Sequence, residues 1–527
     1  MYLYRSTLCL LTVLFGLIGG AKILSVFPSC GYSQFILGER LIQELTARGH
    51  EVTVISLFEP KDPQNYTTIH LKDVLETFKQ EPASKELEEP HIISDILYTF
   101  NLGYQLTERI LQHKKVQDLL ESDAEFDLVL VEQFFNEAHM GFAKHFDAHL
   151  VLFSSIGLSE WNHHLTGNIH LPSLYPVSFL PFHNTMDFSQ RIENFITKLF
   201  IRGYQELVAY PQQQTYLTKY FPNKFDLSNI MYNASLLLLN SDVTIGEAYD
   251  SNHATIDIGS FHIVQNKLPD NLQTFLDDAE NGAIYFSLGT NLKSSDLNKE
   301  EIRKILEVFR GLKQRVLWKF EALGSVEVPN NVLVTDWLPQ VDILAHPNTA
   351  LFITHGGLLS TTEAVFFGVP MIGVPVYGDQ RMNVARSVAQ GHTVHIPLSK
   401  FSAESLKAAI KEVLENDKYS ENAWKRSNML REKPVRPIDN AMFWIQYVLN
   451  HDGAPHLRSR TMDLSWRQIY LLDVVFLLTV FIWFVIVILS IIVYKLYSYL
   501  IANVRFESKT FVPKPNSKKK LKKYKKK

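Results

Sequence analysis

Cysteine is almost absent from this chain: its 527 residues contain only Cys9 and Cys30. A small scaffold stapled by disulfides is therefore excluded. Cys9 also falls in an N-terminal segment with the layout of a secretory signal peptide, in which Arg5 precedes an apolar run and small residues follow at 19–21. We expect residues 1–21 to be removed, which leaves Cys30 without an internal disulfide partner.

Acidic residues outnumber basic residues in the body of the chain, and positive charge is concentrated at the C-terminus. The whole chain has a net charge of −3, yet twelve Lys and Arg lie from residue 495 onward beside one acid, Glu507. The body between the signal segment and this tail holds 39 basic and 54 acidic residues, a net charge of about −15. An acidic body argues against a nucleic-acid partner.

The apolar run 474–493 is long enough to cross a bilayer as a helix. The basic tail 494–527 follows it, so the positive-inside rule places the tail in the cytoplasm and the body in the lumen. The tail could bind anionic lipid, but Lys523 and Lys525 also resemble a dilysine retrieval signal. We therefore expect a single-pass type I protein of the endoplasmic reticulum membrane. Lumenal sequons begin at Asn65 and Asn233.

Buried apolar runs alternate with helical patterns in both halves of the body. In the first half, a strand pattern after Lys22 is followed by a helical pattern at 35–48. Further apolar runs lie at 127–131 and 150–154, and the rhythm restarts at Ala283. Helical patterns in the second half lie at 299–312, 361–367 and 403–416. This alternation predicts an α/β protein with two doubly wound domains, 22–265 and 266–455, that bind a nucleotide at the carboxyl ends of their strands.

The segment 337–380 reads WLPQVDILAHPNTALFITHGGLLSTTEAVFFGVPMIGVPVYGDQ. His355-Gly356-Gly357 follows a buried strand and precedes a helix, so backbone amides and the helix dipole favour an anion such as a diphosphate in this turn. Ser360 and Glu363 have the spacing of a capping box, which predicts that the helix begins near Ser360. A second glycine turn, Ser287-Leu288-Gly289-Thr290, indicates another phosphate contact.

This segment resembles the signature of the UDP-glycosyltransferases. The residues that stand at the spacings of this signature are Trp337, Gln340, His355-Gly356-Gly357, Ser360, Pro370, Pro375 and Asp379-Gln380. The resemblance extends over almost the whole chain, and details such as VEQFFNEA are similar to arthropod members. It implies a GT-B fold of two Rossmann-like domains facing a cleft, with one C-terminal transmembrane helix. It also implies a hexosyltransferase for which the UDP-sugar is a co-substrate and neither a metal nor another cofactor is needed.

The resemblance also assigns roles to residues. It implies that Trp337 stacks on uracil, that Glu363 binds the ribose hydroxyls and that Ser360 contacts phosphate. Asp379 and Gln380 would hold sugar hydroxyls. The other residues expected at the UDP-sugar are Ser287, Gly289, Thr290, Gln340, His355 and Gly357. One departure is Leu359, where many soluble relatives carry a phosphate-binding Asn, so the backbone and Ser360 must contribute more.

The residues expected on the acceptor side depart further from the family's pattern. The family inverts the anomeric centre with a His base oriented by an acid, and the matching residues here are Gln34 and Glu132. Glutamine has no group that titrates near pH 7, and general base catalysis typically contributes roughly 10² to 10⁴-fold. Three interpretations remain: Glu132 accepts the proton, the acceptor is an easily activated phenol or amine, or the chain binds UDP-sugar without turnover. Candidate substitute bases are His139, His145, His163 and His164.

We favour Glu132 together with a small lipophilic acceptor, such as a phenol, alcohol or amine, and hence a role in detoxification. UDP-glucose is the favoured donor because of the arthropod resemblance, and UDP-glucuronate is next. Arg381 could bind a glucuronate carboxylate, although a surface role fits equally. The alternative function is a catalytically silent UDP-sugar-binding membrane partner, motivated by Gln34. Membrane lipid is an expected partner, and assembly into a homo- or hetero-oligomer stays open.

Overall fold

The computed structural model describes residues 20–61, 65–79, 92–289, 299–320 and 326–510. It divides into two units, Met1–Ser459 and Arg460–Lys527. Most of the expected signal peptide, Thr290 and most lysines of the tail, including Lys523 and Lys525, lie outside the described residues.

The first part of Met1–Ser459 is a parallel sheet flanked by helices. Its strands are β1 (Lys22–Phe27), β2 (Glu51–Ser56), β3 (Thr67–His70), β4 (Leu128–Glu132), β5 (His149–Ser154), β6 (Leu236–Leu239) and β7 (Thr255–Asp257). The described strands pair in the order β3-β2-β1-β4-β5-β6-β7. Central strands such as β4 are buried along their whole length, as expected for a parallel sheet covered on both faces.

Helices cover both faces of this sheet. They are α1 (Tyr32–Ala47), α2 (Lys72–Lys79), α3 (Ile92–Gln112), α4 (Lys114–Leu120), α5 (Gly141–His145), α6 (Phe188–Tyr204), α7 (Tyr210–Tyr220) and α8 (Leu227–Met231). The helix predicted at 35–48 is α1, which packs Leu37, Leu41 and Leu45 on one face. The opposite face is covered mainly by α3 and α7.

The second sheet is also parallel. Its strands are β8 (Ala283–Ser287), β9 (Arg315–Lys319), β10 (Val332–Thr335), β11 (Thr349–Thr354), β12 (Met371–Gly373) and β13 (Thr393–His395), in the order β10-β9-β8-β11-β12-β13. The helices of this part of the chain are α9 (Asp270–Asp277), α10 (Lys299–Arg310), α11 (Gln340–Leu344), α12 (Leu358–Phe367), α13 (Gln380–Ala389), α14 (Ala403–Leu414) and α15 (Lys418–Arg431). Two parallel Rossmann-type sheets in one unit confirm the predicted fold class.

Near the end of the unit Met1–Ser459, the chain packs against the first sheet again. Helix α16 (Pro437–Asn450) packs Ala441, Ile445 and Val448 into the same cluster as α1. Arg48 Nη2 lies 2.5 Å from Asp439 Oδ1 and ties the two helices together. The C-terminal end of the range 266–455 is therefore part of the first domain in space.

Helix α6 carries a stripe of apolar side chains on its outward face. Phe188, Phe195 and Leu199 are 72%, 54% and 61% exposed and lie on one outward stripe with Ile192 and Ile196. The inward face carries Ile201, which lies in the core of the first domain, and the polar Asn194. There the buried Asn194 side chain accepts from the amide of Val177 at 2.7 Å and donates to the carbonyls of Pro172 and Tyr175.

The unit Arg460–Lys527 contains the predicted span. Helix α17 (Trp466–Ile469) precedes α18 (Leu472–Thr510), of which Leu472–Asn503 is long and apolar enough to cross a membrane, with a mean hydropathy of 3.2. The predicted range 474–493 falls inside it, and the helix continues into the predicted tail. A single C-terminal apolar helix among the described residues confirms this part of the fold prediction. Both sequon asparagines, Asn65 and Asn233, are exposed.

Candidate active site

The carboxyl ends of the strands in the second sheet gather the residues expected to bind the donor. Strand β8 lies between β9 and β11, so the loops after β8 and β11 diverge and open a crevice. Ser287 is the last residue of β8, and His355 directly follows β11. Gly289 and Gly357 lie in the same two loops. The topology therefore brings the two glycine turns of the sequence to one crevice.

The His355 ring lies in a gap between two glycines. A Cβ at Gly289 would lie 2.7 Å from Cε1 of His355, and a Cβ at Gly357 would lie 2.6 Å from its Nε2. Gly289 also has a φ of +83°, in the region that favours glycine. Any side chain at these two positions would displace the imidazole, so the glycines allow the ring to occupy the crevice.

Lys319, which sequence analysis missed, adds a positive charge beside this ring. It ends β9, and its Nζ donates to the carbonyl of Gly289 at 3.2 Å. Burial lowers the pKa of His355 to about 4, and the charge of Lys319 contributes to this shift. His355 is therefore neutral at pH 7 and donates one N–H. Together with the first amides of α12, these groups suit a diphosphate.

Gln340, Ser360 and Glu363 form one hydrogen-bonded group. The Nε2 of Gln340 donates to Ser360 Oγ at 3.0 Å and to Glu363 Oε2 at 2.6 Å. The predicted capping box is wrong, because α12 begins at Leu358 with Gly357 as its N-cap and without a side-chain cap. Ser360 is thus the third helical residue, and its hydroxyl is bound by Gln340 instead of by the helix end.

Trp337, Asp379 and Gln380 complete the expected donor residues. Trp337 follows β10 and is 64% exposed, so a face of its ring is accessible to a base. Asp379 is the N-cap residue of α13; burial raises the pKa of its carboxyl, which accepts from Asn383 Nδ2 at 2.8 Å. Gln380 Oε1 accepts from the amide of Val376 at 2.9 Å, which fixes the Gln380 side chain.

Leu359 has an apolar role in this fold. It packs against the cluster of the first domain that contains Phe27, Phe153 and Phe261. The position where soluble relatives carry a phosphate-binding Asn therefore joins the two domains.

The first sheet has the same kind of switch point, between β1 and β4. Gln34 lies in the first turn of α1 after β1, and Glu132 is the last residue of β4. The Gln34 Nε2 donates to Ser155 Oγ at 2.9 Å, and its Oε1 accepts from the Ser29 hydroxyl. Ser155, which follows β5, was also missed by sequence analysis. Its only signal was its place at the carboxyl end of a predicted strand.

Glu132 is completely buried, and burial raises its pKa to about 7. The nearby Ser155 hydroxyl and Ser29 backbone oppose part of this rise in pKa, although neither carboxylate oxygen has a hydrogen-bond partner among the described residues. Because Ser155 Oγ accepts from Gln34, its own proton is directed elsewhere and is available to Glu132. The same burial raises the pKa of Cys30 to about 11. Ser155 is thus bonded to Gln34 and lies near enough to Glu132 to affect its pKa.

The family model described as UDP-glucoronosyl and UDP-glucosyl transferase matches residues 21–506. The chain belongs to the UDP-glycosyltransferase family. It is an enzyme of that family, with a UDP-sugar as donor, and both clusters described above lie in the matched region.

Relatives agree with this assignment. UDP-glucosyltransferase 2 of Dactylopius coccus is 33% identical over 488 residues, which cover 90% of this chain and 93% of the relative. UDP-glucuronosyltransferase 2B7 of Homo sapiens is 29% identical over 466 residues, covering 84% and 87%. Glycosyltransferase VinC, solved in complex with DTDP, is 17% identical with a TM-score of 0.56, covering 81% of this chain and 99% of that chain. The likeness to VinC shows the GT-B fold.

The four histidines considered as substitute bases in this UDP-glycosyltransferase are poorly suited to that role. His164 Nε2 lies 2.8 Å from the Tyr210 hydroxyl. Burial lowers the pKa of His139, His145, His163 and His164, to about 3 for His139 and His163. A group with such a pKa is a weak base at pH 7. No hydrogen bond between described residues joins any of them to Gln34 or Glu132.

Arg381 is not a surface residue. It follows Gln380 in α13, and its Nη2 lies 3.0 Å from Asp95 Oδ2 on α3, with both side chains mostly buried. The arginine that follows Gln380 is therefore engaged in an ion pair between the two domains.

Proposed function

We propose that this UDP-glycosyltransferase transfers glucose from UDP-glucose, with inversion, to small lipophilic phenols, amines or alcohols. The observation that carries the proposal is the pairing of two switch-point clusters in one compact unit. One cluster suits a nucleoside diphosphate, and the other contains Glu132, an acid whose pKa of about 7 suits a general base at neutral pH.

The proposed reaction is a displacement at C1 of glucose with transfer of one proton. The acceptor oxygen or nitrogen forms a bond to C1 of glucose while the bond from C1 to the UDP oxygen breaks, and UDP leaves with the electron pair. The acceptor proton passes to Ser155 Oγ as the Ser155 proton passes to Glu132. Gln34 holds Ser155 in the orientation that this transfer needs, so it acts as a positioning residue in place of the usual histidine.

The state of Arg381 supports glucose over glucuronate. A glucuronate carboxylate would meet an arginine already neutralised by Asp95 at 3.0 Å. UDP-glucuronate remains the second candidate donor, because relatives of both names are similar to this chain. Comparing kcat/KM for the two donors decides between them, and a higher value for UDP-glucuronate would reverse the assignment.

We also propose that the reaction needs no metal, because Lys319, His355 and the amides of α12 supply the positive charge and donors that a leaving diphosphate requires. Activity should be unchanged in EDTA. The proposed location is the endoplasmic reticulum, with the body lumenal and with Asn65 and Asn233 glycosylated. Endoglycosidase H should then shift the mass of the chain, and Asn65→Gln and Asn233→Gln should each remove part of that shift.

The test of the proposed function uses the full chain with radiolabelled donors and a panel of phenols, amines and alcohols. We expect transfer to phenols and amines, a loss of about 10²-fold in kcat for Glu132→Gln, and faster transfer to alcohols in Gln34→His. Glu137→Gln is the matched control, because Glu137 is also buried with a pKa raised to about 7. UDP binding without transfer to any acceptor would favour the silent partner instead.

A further inference from the structure

His262 lies in the connection between the two sheets, after β7 and before α9. Its neighbour Phe261 is 3% exposed and packs against Phe153 of the first domain, with ring centroids 5.8 Å apart. Leu268, a few residues further along, packs in the core of the second domain with Leu272. The segment that carries His262 is therefore anchored to both domains. Sequence analysis assigned this segment no function.

The His262 side chain contacts the carboxylate expected to bind ribose. Its side chain is 2% exposed, and Nε2 lies 3.2 Å from Glu363 Oε1. Gln340 Nε2 donates to the other carboxylate oxygen at 2.6 Å. Two donors on different elements fix the plane of the carboxylate. Because each of its oxygens has two lone pairs, each can still accept one ribose hydroxyl.

The second nitrogen of His262 shows that the ring is not held by a complete set of structural contacts. Its buried Nδ1 has no hydrogen-bond partner in the described part of the chain. Buried polar atoms are nearly always satisfied, since an unsatisfied one destabilises a protein. The polar contact that the ring does make joins the linker to Glu363 in the other domain.

We propose that His262 is a positioning residue for the donor: it orients Glu363 to accept the two ribose hydroxyls of UDP. This inference rests on the proposed function and on the ribose-binding role that the family resemblance implies for Glu363. Because Phe261 and Leu268 fix the linker to different domains, His262 also makes UDP affinity depend on how the domains are arranged.

The experiment measures Kd by titration calorimetry on the full chain in detergent micelles, with UDP and 2′,3′-dideoxy-UDP. His262→Leu should weaken UDP about tenfold, as expected for a lost hydrogen bond to a charged group, but should change the dideoxy nucleotide by less than about twofold. His262→Gln places an amide donor near the position of Nε2 and should stay within about threefold of the unaltered chain for UDP. In turnover, His262→Leu should raise KM for the donor and leave kcat within about twofold.

His346→Leu is the matched control. His346 is a buried histidine of the second domain, and its Nε2 lies 3.1 Å from Asp277 Oδ1. Its loss should lower Tm without changing the ratio of the two nucleotide affinities. If His262→Leu does not fold, His262→Asn, whose amide is too short to reach Glu363, takes its place. Equal weakening of both nucleotides, or no weakening of UDP, would overturn the inference. Failure of the unaltered chain to bind UDP would instead overturn the proposed function, and the inference with it.

Discussion

Glu132 is completely buried near Ser155, and this environment sets the pH at which it can accept a proton. Its pKa is raised to about 7, so the carboxylate form is scarce below pH 7 and predominates above it. We expect kcat/KM for an alcohol acceptor to rise roughly tenfold per pH unit below about pH 7 and to level off above it. Glu132→Gln should remove this inflection. A pH–rate profile checks it, and an inflection that survives the substitution would assign the proton to another group.

Glu137 lies outside the candidate site, and its pKa is raised as much as that of Glu132. The pH dependence of the folding stability of the protein therefore reports on this residue. Between about pH 4.5 and 7, the unfolded chain ionises this group while the folded chain keeps its proton. The contribution of Glu137 to the free energy of unfolding therefore falls as pH rises through this window. Glu137→Gln should leave Tm nearly unchanged near pH 4.5 and raise it at pH 8, by a free energy on the order of 3 kcal/mol at most. Thermal unfolding at both pH values tests this, and an equal effect at both would contradict it.

At the scale of single elements, the turn before α12 depends on the absence of a side chain. Gly357→Ala would place a Cβ 2.6 Å from Nε2 of His355. The ring would be displaced from the crevice, so we expect UDP to bind at least about tenfold more weakly. Gly203→Ala is the control, because no atom lies within 4 Å of a Cβ there. Titration of both variants with UDP checks this, and equal affinities would show that His355 does not contact the nucleotide.

Elements were predictable from sequence where a local pattern determines them. The buried strands β4, β8 and β11 read as continuous apolar runs, and α1 and α14 follow from their spacing. The start of α12 was misplaced because Ser360 and Glu363 satisfy a capping pattern, while their actual hydrogen bonds come from Gln340, twenty residues earlier. Ser155 and His262 were missed for the same reason, since their partners are distant in sequence. The residues that gather at the crevice of the second sheet could be predicted, but not the residues that hold them.

At the scale of the whole molecule, α13 links the two domains. Arg381 pairs with Asp95 at 3.0 Å, and Arg386 Nε lies 3.3 Å from Glu247 Oε2. Asp95 and Glu247 both belong to the first domain. The helix that begins with Gln380, a residue expected to bind the sugar, is therefore held by ion pairs across the domain boundary, which no local pattern in the sequence predicts.

Breaking one of these pairs leaves a mostly buried charge. We expect Arg381→Met to lower the free energy of unfolding by about 3 kcal/mol or more, and Arg381→Met with Asp95→Asn to be less destabilising than the sum of the single changes. The ratio of kcat/KM for UDP-glucose and UDP-glucuronate should stay the same. Denaturant unfolding and donor kinetics test the two parts. A loss of glucuronate transfer alone would assign Arg381 to the sugar.

The outward stripe of α6 has a consequence for handling the protein. Phe188, Phe195 and Leu199 belong to Met1–Ser459, so a chain shortened to end at Ser459 still presents an apolar surface to water. We expect such a chain to aggregate without detergent and to become monodisperse after Phe188→Ser, Phe195→Ser and Leu199→Ser. Sedimentation velocity would show this, and a monodisperse truncated chain without these changes would contradict it. Production of a water-soluble form therefore depends on redesigning α6 as well as on removing the C-terminal helix.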